Sequence, residues 1–308
     1  MIGWWVEMEL SRRIQTDAWT SLVLTLLLWV TTIAPVHATQ TDFLGREVAV
    51  PENPRRIVAL VPSLTEIIFA LGGGERMVGA TRFANHPAEA TELPRVGSYP
   101  RPDLERILAL EPDLVLATRD GNPPDVVNRL DALGVPAYVV NPGNLEQLFD
   151  TIHRIGGILG ASERAEAMIR DFRNRRDAVR NHWRGRDRTR VFMQIGTDPM
   201  VTVGGDTFLN ELLETAGGEN VMADRDAYPM ISVEPVVALR PEVILITTME
   251  QGANFEAAKR EWESWPEIPA ARNGRIHLVD SDLYDRPSPR TILALEELVR
   301  LLHPEPSP

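Results

Sequence analysis

The chain of 308 residues carries 32 Lys and Arg against 44 Asp and Glu, a net charge of −12, with 44% hydrophobic residues and no cysteine. This hydrophobic content suits one or two globular domains and excludes an intrinsically disordered chain. The absence of cysteine excludes thiolate nucleophiles, disulfides and iron–sulfur clusters. An acidic chain lacks the basic surface that neutralises phosphates, so nucleic acid is excluded as a partner. Small molecules and other proteins remain as partners.

The N-terminus has the pattern of an export signal. An apolar run over residues 19–36 follows two arginines and ends in the small-residue sequence Val-His-Ala at Ala38. Such a run with a Val-x-Ala end is typical of a secretory signal peptide. We therefore expect a signal peptide at residues 1–38 and a periplasmic location. The alternative is an uncleaved anchor, because the run approaches the roughly 20 residues that span a bilayer.

Downstream of this leader, short apolar strands alternate with helical segments. We predict strands at residues 57–61, 78–81, 114–117, 137–140 and 190–195, and helices at 63–71, 104–110 and 126–133. Ser63 stands three residues before Glu66, which is the capping-box pattern at a helix start. Strands that alternate with helices are typical of parallel sheets built from βαβ units.

Residues 145–183 have the hydrophobic periodicity of a continuous helix between two such regions. The predicted fold class is therefore α/β, with two Rossmann-like lobes joined by a long interlobe helix and a ligand cleft between the lobes. We place the N-terminal lobe at 39–144, the interlobe helix at 145–187 and the C-terminal lobe at 188–308.

An internal repeat supports the two-lobe prediction. A shift of 129 positions brings residues 104–118 onto residues 233–247 without a gap. A duplicated plan predicts a cleft on the pseudo-twofold axis between the lobes, where ligand sites are common. It also puts Glu105 and Glu234 at equivalent positions, each near the start of a helix. The identical pairs are Glu105/Glu234, Ala109/Ala238, Leu110/Leu239, Pro112/Pro241 and Thr118/Thr247.

Three motifs give the chain a resemblance to a known family. They are LVPSLTE at residues 60–66, DLERILALEPDLV at 103–115 and SDLYDRPSPR at 281–290. On these motifs the chain resembles the helical-backbone substrate-binding proteins of ABC importers, which capture ferric siderophores, haem and cobalamin. Within that family, two motifs are similar to those of the members that bind cobalamin. They are Gly-Asn at residues 121–122 and Arg-x-Ser-Pro-Arg at residues 286–290.

The resemblance implies a function in import. It implies a monomeric periplasmic protein that captures cobalamin or a related corrinoid and delivers it to an ABC permease dimer in the inner membrane. Glu105 and Glu234 match the glutamates that dock into arginine pockets on the two permease subunits. The resemblance implies no catalysis, no resident metal and no cofactor, because the bound molecule is cargo.

The resemblance also implies ligand-binding residues. Phe83, Tyr99 and Tyr228 match the aromatic positions that enclose the ligand, and Asp282 and Arg286 match the polar groups at its rim. Aromatic rings suit the flat, apolar faces of a corrin. The residues alone leave alternatives open, namely ordinary packing for the three rings and a plain salt bridge for the Asp282 and Arg286 pair.

Two other functions stay open on the sequence. Haem or a ferric siderophore is the alternative ligand, and haem would need an axial Tyr or His, such as His86 in the loop beside Phe83. An exported enzyme of corrinoid or metal-chelate processing is the alternative of a different class. Its support is poor, because the chain has no Gly-x-Ser-x-Gly elbow and no His-Glu-x-x-His zinc motif.

Overall fold

Two mainly parallel β-sheets, one in each half of the chain, organise the computed structural model, which describes residues 37–247 and 255–304. The predicted leader, residues 1–38, lies outside the described residues except for its last two, which begin strand β1 (His37–Thr41). Within the described ranges, no helix is both long enough and apolar enough to cross a membrane. The predicted α/β class is confirmed.

The N-terminal lobe is built on four parallel strands. They are β3 (Ile57–Ala59), β4 (Met77–Ala80), β7 (Leu114–Thr118) and β8 (Ala137–Val140). The sheet order is β4-β3-β7-β8. Every residue of β3, β7 and β8 is buried, as expected of a parallel sheet covered on both faces. The helices are α1 (Pro62–Ala70), α2 (Leu104–Ala109) and α3 (Pro124–Ala132).

Two short antiparallel pairs complete this lobe. Strand β1 pairs with β2 (Glu47–Pro51), and β5 (Gly97–Ser98) pairs with β6 (Arg101–Pro102). The turn of the second pair carries Tyr99, so the pairing of β5 with β6 fixes both ends of the loop that presents this side chain.

Two helices, not one, follow the N-terminal lobe. They are α4 (Leu145–Ile158) and α5 (Ser162–Trp183). The prediction of one continuous helix was wrong, because Gly160 takes a left-handed backbone with φ +66° and ends the first helix. Arg173 and Arg176 of α5 each pair with Glu146 of α4 at 2.9 Å, so the two helices are tied side by side.

The C-terminal lobe contains a five-stranded sheet. Its strands are β9 (Thr189–Thr197), β10 (Met200–Thr202), β11 (Gly218–Asn220), β12 (Val243–Ile246) and β13 (Ile276–Leu278). Strands β11, β9, β12 and β13 form the parallel part, and β10 is antiparallel to β9. The helices are α6 (Phe208–Thr215), α7 (Val233–Leu239), α8 (Phe255–Glu263), α9 (Pro269–Arg272), α10 (Ser281–Tyr284) and α11 (Thr291–Leu302).

The two sheets repeat one topology. The order β4-β3-β7-β8 corresponds strand for strand to β11-β9-β12-β13. The register also agrees, since Ile57 pairs with Leu114 in one sheet and Val191 pairs with Val243 in the other. Leu114 and Val243 are related by the same shift of 129 positions that the sequence repeat shows. The duplication predicted from the sequence is therefore confirmed.

A strained turn is repeated as well. Glu111 and Arg240, which the same shift relates, have φ of 44° and 50° and each precedes a proline. Positive φ is uncommon for residues other than glycine. An unfavourable backbone conformation at two equivalent positions shows that the turn from helix to strand has the same geometry in both lobes.

The first helix does not begin as predicted. Helix α1 starts at Pro62, and its N-cap residue Val61 makes no side-chain capping hydrogen bond. The capping-box prediction for Ser63 and Glu66 was therefore wrong. Both side chains are buried, and the carboxylate of Glu66 bonds to residues of the C-terminal lobe instead of to the start of its own helix.

Glu66 joins the two lobes through a buried ion network. Its carboxylate accepts two hydrogen bonds from Arg290, Nε to Oε2 at 2.9 Å and Nη2 to Oε1 at 2.8 Å. The Ser288 hydroxyl donates to Oε2 at 2.7 Å, and Arg286 donates to Oε1 at 3.3 Å. The Glu66 side chain is 2% exposed, and a charge at such depth is tolerated only with partners of this kind.

We expect Glu66→Gln to lower the free energy of unfolding by about 2 to 4 kcal/mol, because Arg290 would lose both of its charged contacts and Arg286 would keep only its bridge to Asp282. Glu296→Gln is the matched control. Glu296 receives the same two-bond contact from Arg175, at 2.7 and 2.8 Å, but its side chain is 31% exposed. The control should lose less than about 1 kcal/mol.

Urea unfolding of both variants, followed by circular dichroism, measures the two losses. Equal losses would contradict the assignment of Glu66 as the charge that holds the lobes together.

Candidate functional site

The carboxyl ends of the parallel strands form one edge of each sheet, and α/β folds bind ligands at that edge. In the N-terminal lobe the edge is marked by Thr118, the last residue of β7. In the C-terminal lobe it is marked by Thr247, which follows β12. Both threonines are buried, and they form one of the identical pairs of the repeat. The candidate site therefore consists of the loops that follow these strands.

Asn122 fixes the loops on the N-terminal side of this site. Its Oδ1 accepts the backbone N–H of Thr118 at 2.9 Å, and its Nδ2 donates to the carbonyls of Leu60 at 3.1 Å and Tyr99 at 2.9 Å. Because this buried amide spans three segments of chain, it holds Tyr99 against the ends of β3 and β7. The Gly-Asn motif, one of the motifs on which the resemblance rests, therefore has a structural role, which is to hold these three segments together.

Phe83 and Tyr99 form an aromatic pair in the N-terminal lobe. Their ring centroids lie 5.8 Å apart with an interplanar angle of 56°. Both side chains are partly exposed, and the Arg82 guanidinium lies 4.6 Å from the centre of the Phe83 ring. The pair presents a partly exposed apolar surface at the edge of the sheet.

Tyr228 is the aromatic residue that the C-terminal lobe contributes. It is 49% exposed, which is unusual for a large ring. Partial burial raises the pKa of its phenol, and the negative charges of Asp285 and Asp120 raise it further. Asp120 follows β7 in the N-terminal lobe, so Tyr228 lies where the loops of the two lobes approach each other.

Asp282 and Arg286 form the salt bridge that was the alternative to ligand contact. Arg286 is 8% exposed and also donates from Nη1 to Asn85 Oδ1 at 2.7 Å and from Nη2 to the Phe83 carbonyl at 3.1 Å. It therefore connects the C-terminal lobe to the loop that carries Phe83. The Asp282 side chain is 31% exposed and is the more accessible member of the pair.

Asp285 is a site residue that the sequence analysis did not identify. Its Oδ2 accepts the Thr247 hydroxyl at 3.1 Å, and its Oδ1 has no solvent contact and, among the described residues, no hydrogen-bond partner. Burial raises the pKa of this carboxyl to about 7. Thr247 and Arg286 act in the opposite direction, whereas the charges of Asp280 and Asp282 add to the increase. No local sequence signal marks Asp285, because its burial depends on tertiary packing.

Glu105 and Glu234 are exposed and are the second residues of α2 and α7. A hydrogen bond from Ser232 lowers the pKa of the Glu234 carboxyl, and its own backbone N–H has the same effect. Because α2 and α7 are equivalent helices of the two lobes, the carboxylates occupy matching surface positions. This is the arrangement that the repeat predicted.

Comparison with known proteins gives the family. The sequence profile described as periplasmic binding protein matches residues 57–283. The vitamin B12-binding protein of Vibrio parahaemolyticus is 34% identical over 248 residues, which cover 80% of this chain and 89% of that protein.

Two solved structures show the same relationship. The periplasmic vitamin B12-binding protein BtuF of Vibrio cholerae is 30% identical with a TM-score of 0.72, over 82% of this chain and 97% of that one. A periplasmic haem-binding protein from Pseudomonas aeruginosa is 30% identical with a TM-score of 0.74, over 83% and 95%. The chain belongs to the periplasmic binding protein family.

Proposed function

We propose that this protein is the substrate-binding component of an ABC importer and captures cobalamin or a related corrinoid in the cleft between its lobes. The observation that carries the proposal is the pair of aromatic surfaces at the carboxyl edges of the sheets, Phe83 with Tyr99 on one lobe and Tyr228 on the other. The 34% identity to a vitamin B12-binding protein supports the same ligand class.

The chemistry of the ligand fits these surfaces. A corrin is wide, flat and apolar on its faces, and carboxamides surround its rim. Aromatic rings from opposite lobes suit the two faces, and a tyrosine adds a hydrogen-bonding hydroxyl at its tip. Asp282 is the exposed polar group of the rim in this proposal, and Arg286 holds it in place.

Delivery to the permease is proposed through Glu105 and Glu234. Exposed carboxylates at equivalent positions of two related lobes form a pseudo-symmetric surface, which suits a symmetric permease dimer. The protein acts as a monomeric carrier in this proposal, so its ligand is returned unchanged and no catalytic step is needed.

Haem is the second candidate ligand. It is favoured by the 30% identity to the haem-binding protein from Pseudomonas aeruginosa and by the exposed position of His86 near Phe83. Haem would need an axial ligand from a Tyr or His, whereas cobalamin carries its own lower ligand. A visible absorption spectrum of the haemin complex shows whether a Tyr or His side chain of the protein coordinates the iron.

We expect Tyr99→Ala and Tyr228→Ala each to weaken cyanocobalamin binding about 30-fold, which corresponds to about 2 kcal/mol for an aromatic anchor. Tyr99→Phe and Tyr228→Phe are the matched controls, because they keep the ring and remove the hydroxyl. Calorimetric titration of the chain from Thr39 onward gives the affinities.

Unchanged affinity in both alanine variants would remove the two rings from the ligand site. Tight binding of haemin together with no binding of cyanocobalamin would transfer the function to the second candidate.

We expect the double variant Glu105→Lys and Glu234→Lys to bind ligand normally and to lose delivery to the permease. The measurement is uptake of labelled cobalamin by cells that carry the importer and this protein as their only binding protein. Asp125→Lys with Glu163→Lys is the control, since these acids are also exposed in the first turns of helices and change the charge equally.

Uptake that survives in the docking variant, or that is lost equally in the control, would contradict the docking role of the two glutamates.

A further inference from the structure

The hydrogen bonding of Asp285 differs from that of Asp120 and Asp282, two other acids of the cleft loops. One oxygen accepts the Thr247 hydroxyl, and the other oxygen, Oδ1, is buried and accepts no hydrogen bond from the part of the chain that the structure describes. A buried polar atom without a partner has a free-energy cost of about 1 to 3 kcal/mol. By contrast, Asp120 pairs with Arg119 at 2.7 Å, and Asp282 pairs with Arg286.

Asp285 as a whole is partly exposed, although its Oδ1 is not, and it lies near the carboxyl edge of the sheet. Thr247, its partner, marks the carboxyl edge of the C-terminal sheet, where ligands of α/β folds bind. The neighbours in sequence, Asp282 and Arg286, contact the Phe83 loop of the opposite lobe. The charge of Asp285 also acts on Tyr228, the exposed ring of this lobe. A molecule that lies against Tyr228 therefore has its rim beside Asp285.

We propose that Asp285 binds as a neutral carboxylic acid to a carboxamide on the rim of the ligand, and that its ionised form disfavours a carboxylate-rimmed macrocycle. This inference rests on the proposed function. The two groups are complementary, because the acid O–H donates to the amide carbonyl and the acid C=O accepts the amide N–H. A ligand carboxylate accepts the O–H of the neutral acid, but it offers no N–H and it repels Asp285 once Asp285 is ionised, so the preference for the amide rim is greatest above pH 7.

The protonation state follows from the surroundings of the carboxyl. Its pKa is about 7, raised by burial and by Asp280 and Asp282 and lowered by Thr247 and Arg286. Below pH 7 the neutral acid can donate to an amide carbonyl. Above pH 7 the ionised group can accept from the amide N–H, and it loses its donor. Affinity for an amide-rimmed ligand should therefore fall as the pH rises.

Two corrinoids that share the corrin ring but differ in the groups at its rim test the proposal. Dicyanocobinamide has carboxamides at the rim, and dicyanocobyrinic acid has carboxylates. At pH 8 the wild-type protein should bind dicyanocobinamide more tightly than dicyanocobyrinic acid. Its affinity for dicyanocobinamide should fall about 5- to 10-fold from pH 6 to pH 8, the size of one lost hydrogen bond. Asp285→Asn keeps the shape and both hydrogen-bonding groups, so its affinity should vary less than about twofold over this range.

Two further variants make the result specific. Thr247→Val removes a hydrogen bond that favours the ionised form, so the midpoint of the pH dependence should move to higher pH. Asp224→Asn is the control, because Asp224 is a highly exposed acid of the same lobe and should leave the pH dependence unchanged. Comparison with Asp285→Asn also removes the contribution of any histidine that titrates in this range.

The outcomes separate the two proposals. Dicyanocobinamide binding that is equally pH-dependent in the wild type and in Asp285→Asn would overturn the role of Asp285 and leave the corrinoid function intact. Equal or tighter binding of dicyanocobyrinic acid by the wild-type protein at pH 8 would also overturn it. Absence of binding of either corrinoid would overturn the proposed function and this inference together.

Discussion

A single buried carboxylate, that of Glu66, constrains how the two lobes can be arranged. A charge with 2% of its side chain exposed needs its partners, and the partners Arg286, Ser288 and Arg290 come from one loop of the other lobe. Opening the lobes at this point would separate the Glu66 carboxylate from all of these partners at once. The loop at residues 281–290 is therefore fixed to the N-terminal lobe, and Asp282 and Asp285, which this loop carries, are fixed with it.

Much of the fold could be predicted from the sequence because its signals are local. Short apolar runs identify the strands of a buried parallel sheet, and the repeat relates Leu114 to Val243 without any knowledge of the structure. Two predictions failed because tertiary contacts decide them. Glu66 bonds to distant arginines instead of capping its own helix, and the periodicity of residues 145–183 does not show that Gly160 adopts the left-handed backbone that separates α4 from α5.

The candidate site, like the fold, could be predicted from the sequence only in part. The sequence repeat predicted the equivalent exposed positions of Glu105 and Glu234, and family motifs indicated the aromatic residues. Asp285 could not be predicted, because the feature that distinguishes it, a buried oxygen with no partner among the described residues, arises only from tertiary packing. Which residues surround a given acid is a property of the folded chain, and neither composition nor spacing contains it.

The two threonines that mark the sheet edges have taken different partners since the duplication. The hydroxyl of Thr118 accepts the backbone N–H of Gly121, whereas the hydroxyl of Thr247 donates to an acid, Asp285. The backbone of the two lobes thus has approximate twofold symmetry, but the loops at the two sheet edges differ in their chemistry. One side of the cleft is thus held by backbone and amide hydrogen bonds, and the other contains a buried carboxyl. Fusion of the two copies into one chain permits this polarity, which an assembly of two identical chains could not have.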